Sequence, residues 1–85
     1  MTKQEIETNL REIVCDQLGL ASDKVTLASR FSEDLSVDSM DSIEIIMAVE
    51  ECLGLTLTSE QDKHVEEHIK TFGEAVDWIS ETFSK

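Results

Sequence analysis

At 85 residues the chain has the size of one small domain, close to the lower limit at which a single apolar core suffices. Apolar residues make up 40%, which excludes disorder throughout, and 19 acids against 7 bases leave a net charge of -12. No Lys or Arg occurs between Arg30 and Lys63, while nine acids do, so the chain repels nucleic acid and anionic membranes and suits proteins with basic patches.

The opening, MTKQEIETNL, does not read as a signal peptide, and no stretch has the length and apolarity of a membrane span. Thr2 with Glu5 three residues on forms a capping box, and Ile6, Leu10, Ile13 and Val14 recur on one helical face. This first helix is expected to stop near Gly19, a natural left-handed terminus. Cys15 and Cys52 lie in helical, largely apolar contexts without paired-motif spacing. They are expected to be reduced core residues of an intracellular protein, in the cytoplasm or in an organelle matrix after loss of a targeting segment.

LASDKVTLASRFSEDLSV follows with no helical period and no Pro. A loop of that length in a small domain must be functional or pinned. Val25, Leu27, Phe31 and Leu35 are the expected pins.

A second helix is predicted from Asp38 or Ser39 to about Leu53, with Gly54 as its stop. At about 100° per residue, Ile45, Ile46, Val49, Cys52 and Leu53 share a side assigned to the core. Asp41, Glu44 and Glu51 share the other, with Glu50 on its margin and Met40, Ile43 and Met47 among them. An apolar strip rimmed by one sign of charge is the sequence form of a docking surface. Burial of the helix on most of its circumference is the other reading, and the pattern alone leaves both open.

A short third helix is predicted in LTLTSEQDKHVEEHIKTF, capped by Thr58 or Ser59, with Val65 and Ile69 as its few apolar contacts. Thr71 and Glu74 form another capping box, opening a last helix to about Phe83 through Phe72, Val76 and Ile79. The predicted fold is all-α: a small four-helix bundle of three main helices and a short third one, one domain over 1–85, with a long loop between the first two helices.

The chemistry is concentrated in LSVDSMDS, residues 35 to 42. A hydrolytic serine wants a base within reach and usually a glycine-flanked elbow, and Ser39 has no Gly beside it. His64 and His68, at i and i+4, lack a credible third metal ligand, so a solvated helix face is the better reading. The acids lack the calcium-loop pattern with its central Gly. No active site and no metal site is expected.

The stretch EDLSVDSMDSIEIIMAVEE, Glu33 to Glu51, resembles the signature of acyl carrier proteins of fatty-acid and polyketide synthesis. The likeness extends more loosely over VTLASRF in the loop and TFGEAVDWI at the end. It implies a chain that is no enzyme itself and tethers acyl groups as thioesters on 4′-phosphopantetheine, delivered from coenzyme A by a phosphopantetheinyl transferase. Residue by residue, Ser39 matches the attachment serine and Asp38 the aspartate before it. Asp41, Glu44, Glu50 and Glu51 match acidic positions presented to partner enzymes, and Met40, Ile43 and Met47 the apolar positions between them. The implied partners are that transferase and acyl-chain synthases or transferases with basic docking patches, met by a monomeric carrier. A phosphodiester on Ser39 would sit at a helix N-terminus, where unpaired amides and the helix dipole favour an anion. Ser39 is then both the helix cap and the tether.

Two departures from the resemblance leave open both a housekeeping carrier and a specialised member of such a family. Ser36 stands where the resemblance calls for glycine, and the segment from Gly54 to Thr71 is a few residues longer and lacks a proline. An aminoacyl or peptidyl carrier is an alternative, though its motif more often has glycine and histidine before the serine. An unmodified acidic interaction subunit is another, because Ser39 as a plain cap predicts the same helix.

Overall fold

The computed structural model describes residues 2–83. Its helices are α1 (Lys3–Leu18), α2 (Ser39–Leu53), α3 (Ser59–His68) and α4 (Phe72–Phe83), with a 3₁₀ turn at Ser22–Lys24 in the first loop. Each helix begins where a side chain can replace a missing backbone partner. Thr2 and Glu5 cap α1 reciprocally, and Thr58 does so for α3 with Gln61. At α4, the Thr71 hydroxyl accepts from the Glu74 amide at 3.1 Å, while the Glu74 carboxylate accepts from the Thr71 amide at 2.9 Å. α1 and α2 end on Gly19 and Gly54, both in the left-handed region at φ +67° and +65°.

α1 lies between α2 and α4 and packs against both. Its stripe of Ile6, Leu10 and Val14 is buried, as the spacing predicts, with Ile13 at its edge. α2 contributes Ile45 and Val49, and α4 contributes Phe72, Ala75, Val76 and Ile79. Phe72 has no exposed surface, so its truncation to alanine is expected to cost about 3–5 kcal/mol. The Arg11 guanidinium lies 5.0 Å from the Phe72 ring centre, and its Nε donates to the Val25 carbonyl at 3.0 Å.

The long loop is pinned, but not by all four predicted side chains. Val25 and Leu35 are buried and Phe31 packs against the core. Leu27 is 52% exposed, contrary to expectation. Its backbone, not its side chain, does the holding. The Leu27 carbonyl accepts from the Gly73 amide at 2.9 Å, so close that a Cβ on Gly73 would lie 2.7 Å from that oxygen. The Phe72 amide donates to Ser29 and the Phe31 amide to Lys70, making a short stitch between the loop and the start of α4 around an antiparallel bridge of Arg30 and Thr71. Ser29 is buried, and its hydroxyl accepts from the Thr26 amide.

Cys52 also departs from the predicted core placement. It is a free, exposed thiol, whereas Cys15 is free and buried as predicted. On the helical wheel Cys52 stands beside Asp41, at the edge of the predicted core arc. α2 buries only the centre of that arc, leaving Ile46 and Leu53 half-buried and Cys52 outside.

α3 differs from the others in having no buried residue. Val65 and Ile69 are only half-buried. The helix stands off the bundle, and the space under it forms part of the site described next.

Candidate functional site

Asp38 has extended backbone and is the N-cap of α2. Its Oδ1 accepts from the Asp41 amide at 2.8 Å, and the Asp41 carboxylate receives the Asp38 amide at a longer 3.4 Å. Ser39 is the first helical residue and is not the cap. The capping role assigned to it falls to Asp38, whose carboxylate reaches the third amide of the helix as a cap must. The Ser39 side chain is exposed and takes no part in this exchange. It stands where amides of the first turn lack intrahelical carbonyls and the helix dipole is positive, a setting that tolerates an attached anion.

The other two serines of the stretch stand differently. Ser42 is exposed within the first turn, its amide already bonded to the Asp38 carbonyl. Ser36 is the only non-glycine residue of positive φ among the described residues, at +57°. It follows buried Leu35, whose amide donates to Arg30, and precedes Val37, whose amide donates to Phe31. The sharp bend at Ser36 brings the chain from the core to the outer start of α2. Just upstream, hydrogen bonds from the Arg30 guanidinium and from its amide hold the Asp34 carboxyl below the usual aspartate range.

From Ser39 the exposed face of α2 carries Met40, Ile43 and Met47, which are 69%, 58% and 59% exposed. These values decide between the two readings of α2: the helix is not buried around most of its circumference. Glu44 and Glu51 are exposed beside them and Asp41 is half-exposed. The Glu44 carboxylate also receives a hydrogen bond from the side-chain Nε2 of Gln17 on α1. Glu50 has the same intermediate exposure as Asp41 but is engaged by another element. It is half-buried, and its carboxylate accepts from the Leu57 amide at 2.9 Å, tying the end of α2 to the loop before α3. Its position on the margin of the acidic arc turns it towards α3.

A groove of about 430 Å³ opens beside Ser39 and Ser42 and runs between α2 and α3 towards α4. Its walls are largely apolar: Val37, Ile43, Ile46 and Met47 on one side, Leu55, Leu57, Val65 and Ile69 on the other, with Trp78 and Ile79 from α4. Sequence reasoning did not find this groove. The signal was present in the spacing of Asp62, Val65 and Glu66, which puts all three on one face of α3, with Ile69 following as the residue that ends the helix. Two acids in that stripe made it look solvated.

His64 and His68 are exposed with ring centres 4.9 Å apart, and His64 stacks on Trp78 at 5.8 Å. Among the described residues no group of three metal-ligating side chains comes together.

Comparison with known proteins agrees with this geometry. The family described as "Phosphopantetheine attachment site" matches residues 8–79. The chain is 40% identical over 81 residues to an acyl carrier protein of Rubrobacter xylanophilus, covering 95% of each chain. It is 44% identical over 61 residues to an acyl carrier protein of Akkermansia muciniphila, covering 72% of this chain and 76% of that one.

Proposed function

The chain belongs to the acyl carrier protein family, and from that premise we propose that Ser39 is the residue that bears its 4′-phosphopantetheine arm. The chain is an acyl carrier. The observation that supports Ser39 is its position: an exposed hydroxyl on the first residue of α2, beside the mouth of an apolar groove. Ser42 lies further along the same turn, and Ser36 occupies a strained bend whose side chain has no helix terminus beneath it.

Ser39 needs no activation within its own domain. In the transfer, its Oγ forms a bond to the phosphorus of coenzyme A that carries pantetheine, the pyrophosphate P–O bond breaks, and adenosine 3′,5′-bisphosphate leaves. The hydroxyl proton passes to a base of the transferase. When bound, the arm supplies a terminal thiol that holds the acyl group as a thioester. Asp38 keeps its carboxylate on the Asp41 amide and so fixes the start of the helix under the attached phosphate. The acyl chain can fold back into the groove, while Met40, Ile43 and Met47 with Asp41, Glu44 and Glu51 form the surface that synthases and the transferase grip. Partner enzymes carry out the chemistry.

The reading extends to residues 1–85 as one carrier domain that works as a cytoplasmic monomer. No helix among the described residues is long and apolar enough to cross a membrane. An exposed acidic and apolar α2 would also suit an unmodified interaction subunit. The family membership and the groove beside Ser39 favour the carrier. Intact-mass measurement after incubation with coenzyme A and a broad-specificity phosphopantetheinyl transferase tests the assignment. One arm is expected on the wild type and none on Ser39→Ala; an arm retained by Ser39→Ala would move the site to another serine.

A further inference from the structure

We propose that the groove selects among acyl chains by charge: it takes in neutral aliphatic chains and keeps chains that end in a carboxylate outside. The inference rests on the reading of Ser39 as the tether beside the groove mouth. The observation that carries it is the wall supplied by α3. Asp62, Val65, Glu66 and Ile69, spaced i, i+3, i+4 and i+7, all line the groove. A helix stripe of that spacing turned towards a bundle is ordinarily apolar throughout. Here Val65 and Ile69 are half-buried, and the other two members, Asp62 and Glu66, are carboxylates exposed to solvent along the groove.

Glu50 on α2 adds a third acid to the lining, and no Lys, Arg or His among the described residues lines the groove. The lysines at and just beyond α3 do not line it. Lys63 is paired with Glu67, and the Lys70 ammonium donates to the backbone carbonyl of Glu66. Nothing in the groove therefore offsets an anion brought into it.

An aliphatic chain entering this space covers Ile46, Leu55, Val65 and Trp78 and gains the ordinary free energy of apolar burial. A chain of the same length ending in a carboxylate makes the same apolar contacts. It must also bring a charge out of water towards Asp62 and Glu66, where desolvation and like-charge repulsion act together. Selectivity then comes from a penalty on the wrong chain, not from an added contact with the right one. The consequence for the carrier is a sorting step. Neutral chains are shielded from solvent during transit, and dicarboxylic half-thioesters remain exposed and open to attack by enzymes or water.

The test loads the full chain from two coenzyme A thioesters, a straight eight-carbon acyl group and the eight-carbon chain ending in a carboxylate, and compares melting temperatures at pH 7 with those of the unacylated arm-bearing protein. The neutral chain is expected to raise the wild-type melting temperature by about 5 °C, and the carboxylate chain by about 1 °C or less. In Asp62→Asn/Glu66→Gln, with its fold verified by circular dichroism, the carboxylate chain is expected to recover most of the neutral chain's shift. Each shift is measured against the same variant without acyl group, which removes the general benefit of lowering the net charge. Equal shifts for the two chains in the wild type would overturn the inference, as would a double variant that still excludes the carboxylate chain. Intact mass separates this from the attachment itself: a protein that gains no mass refutes Ser39 as tether, whereas a loaded protein with equal shifts refutes only the selection by charge.

Discussion

A serine held at φ +57° is under strain that glycine would not feel, because its Cβ crowds the following carbonyl. That crowding costs roughly 1–2 kcal/mol, while glycine loses about 0.5–1 kcal/mol more chain entropy on folding. The balance favours glycine. Ser36→Gly is expected to stabilise the protein by about 0.5–1 kcal/mol, raising its melting temperature by roughly 2–8 °C, and Ser36→Val to lower it. Thermal melts of the two variants check both signs; a glycine variant no more stable than the wild type would mean the bend is relieved in other ways. A second prediction concerns Glu74. Hydrogen bonds from the Lys70 and Thr71 amides hold its carboxyl below the ordinary glutamate range. A folded-state pKa lowered in this way contributes stability that is complete above the unfolded value and vanishes as pH falls through the folded one. The melting temperature of Glu74→Gln should therefore lie below that of the wild type at pH 7, and the gap should close on acidification beneath the usual glutamate pKa. A gap independent of pH would show that the charge on Glu74 contributes nothing.

At the scale of elements, α2 presents two different faces. Ile45 and Val49 hold it to the bundle, and Met40, Ile43 and Met47 stand in solvent among acids. Exposed charge mainly speeds encounter and is screened by salt, whereas an apolar anchor controls dissociation. Glu44→Lys/Glu51→Lys should slow association with the transferase and flatten its salt dependence. Met47→Ala should speed release instead, and neither should unfold the domain, since the buried contacts of α2 are untouched. Stopped-flow rates across a salt series decide the matter, and unchanged association of the double lysine variant would reduce the acidic face to a solvated surface. What could be read from the chain beforehand divides along the same line between local and distant causes. The reciprocal caps at Thr2 and Thr71 and the stripe of α1 depend on residues three or four apart, so they were legible. For α3 the sequence left Thr58 and Ser59 open as caps, and the Gln61 half of the box went unread. The cap of α2 slipped by one residue because Asp41, at its third position, replaces the Glu or Gln that marks the usual box. Leu27 and Cys52 were misjudged because their exposure depends on distant neighbours: the Gly73 amide for one, the limited contact of α2 for the other. The attachment motif needed only contiguous residues, whereas the groove needed three helices and was invisible until they were assembled.

At the scale of the whole molecule, charge is the dominant peculiarity. The ion pairs of the described residues fall on α1, the first loop, α3 and the α1–α4 contact, and none involves an acid of α2. A net charge of -12 on so small a fold repels itself more when folded than when unfolded. Screening should therefore stabilise it. Millimolar magnesium should raise the melting temperature by several degrees and by more than sodium chloride of equal ionic strength, because divalent ions bridge neighbouring carboxylates. A melting temperature indifferent to both salts would show that the repulsion is negligible. The stitch between the loop and the start of α4 has one more consequence, for how this fold tolerates insertion. Residues 58–69 run between two fixed points, the Leu57 amide on Glu50 and the Lys70 carbonyl on the Phe31 amide. When the ends of a segment are already pinned, the entropy of closing it grows only with the logarithm of its length, about 0.6 kcal/mol for each doubling. The chain can thus be lengthened, shortened or rewritten around α3 with little strain on the packed core, and the α3 wall of the groove is the part of the molecule freest to change shape.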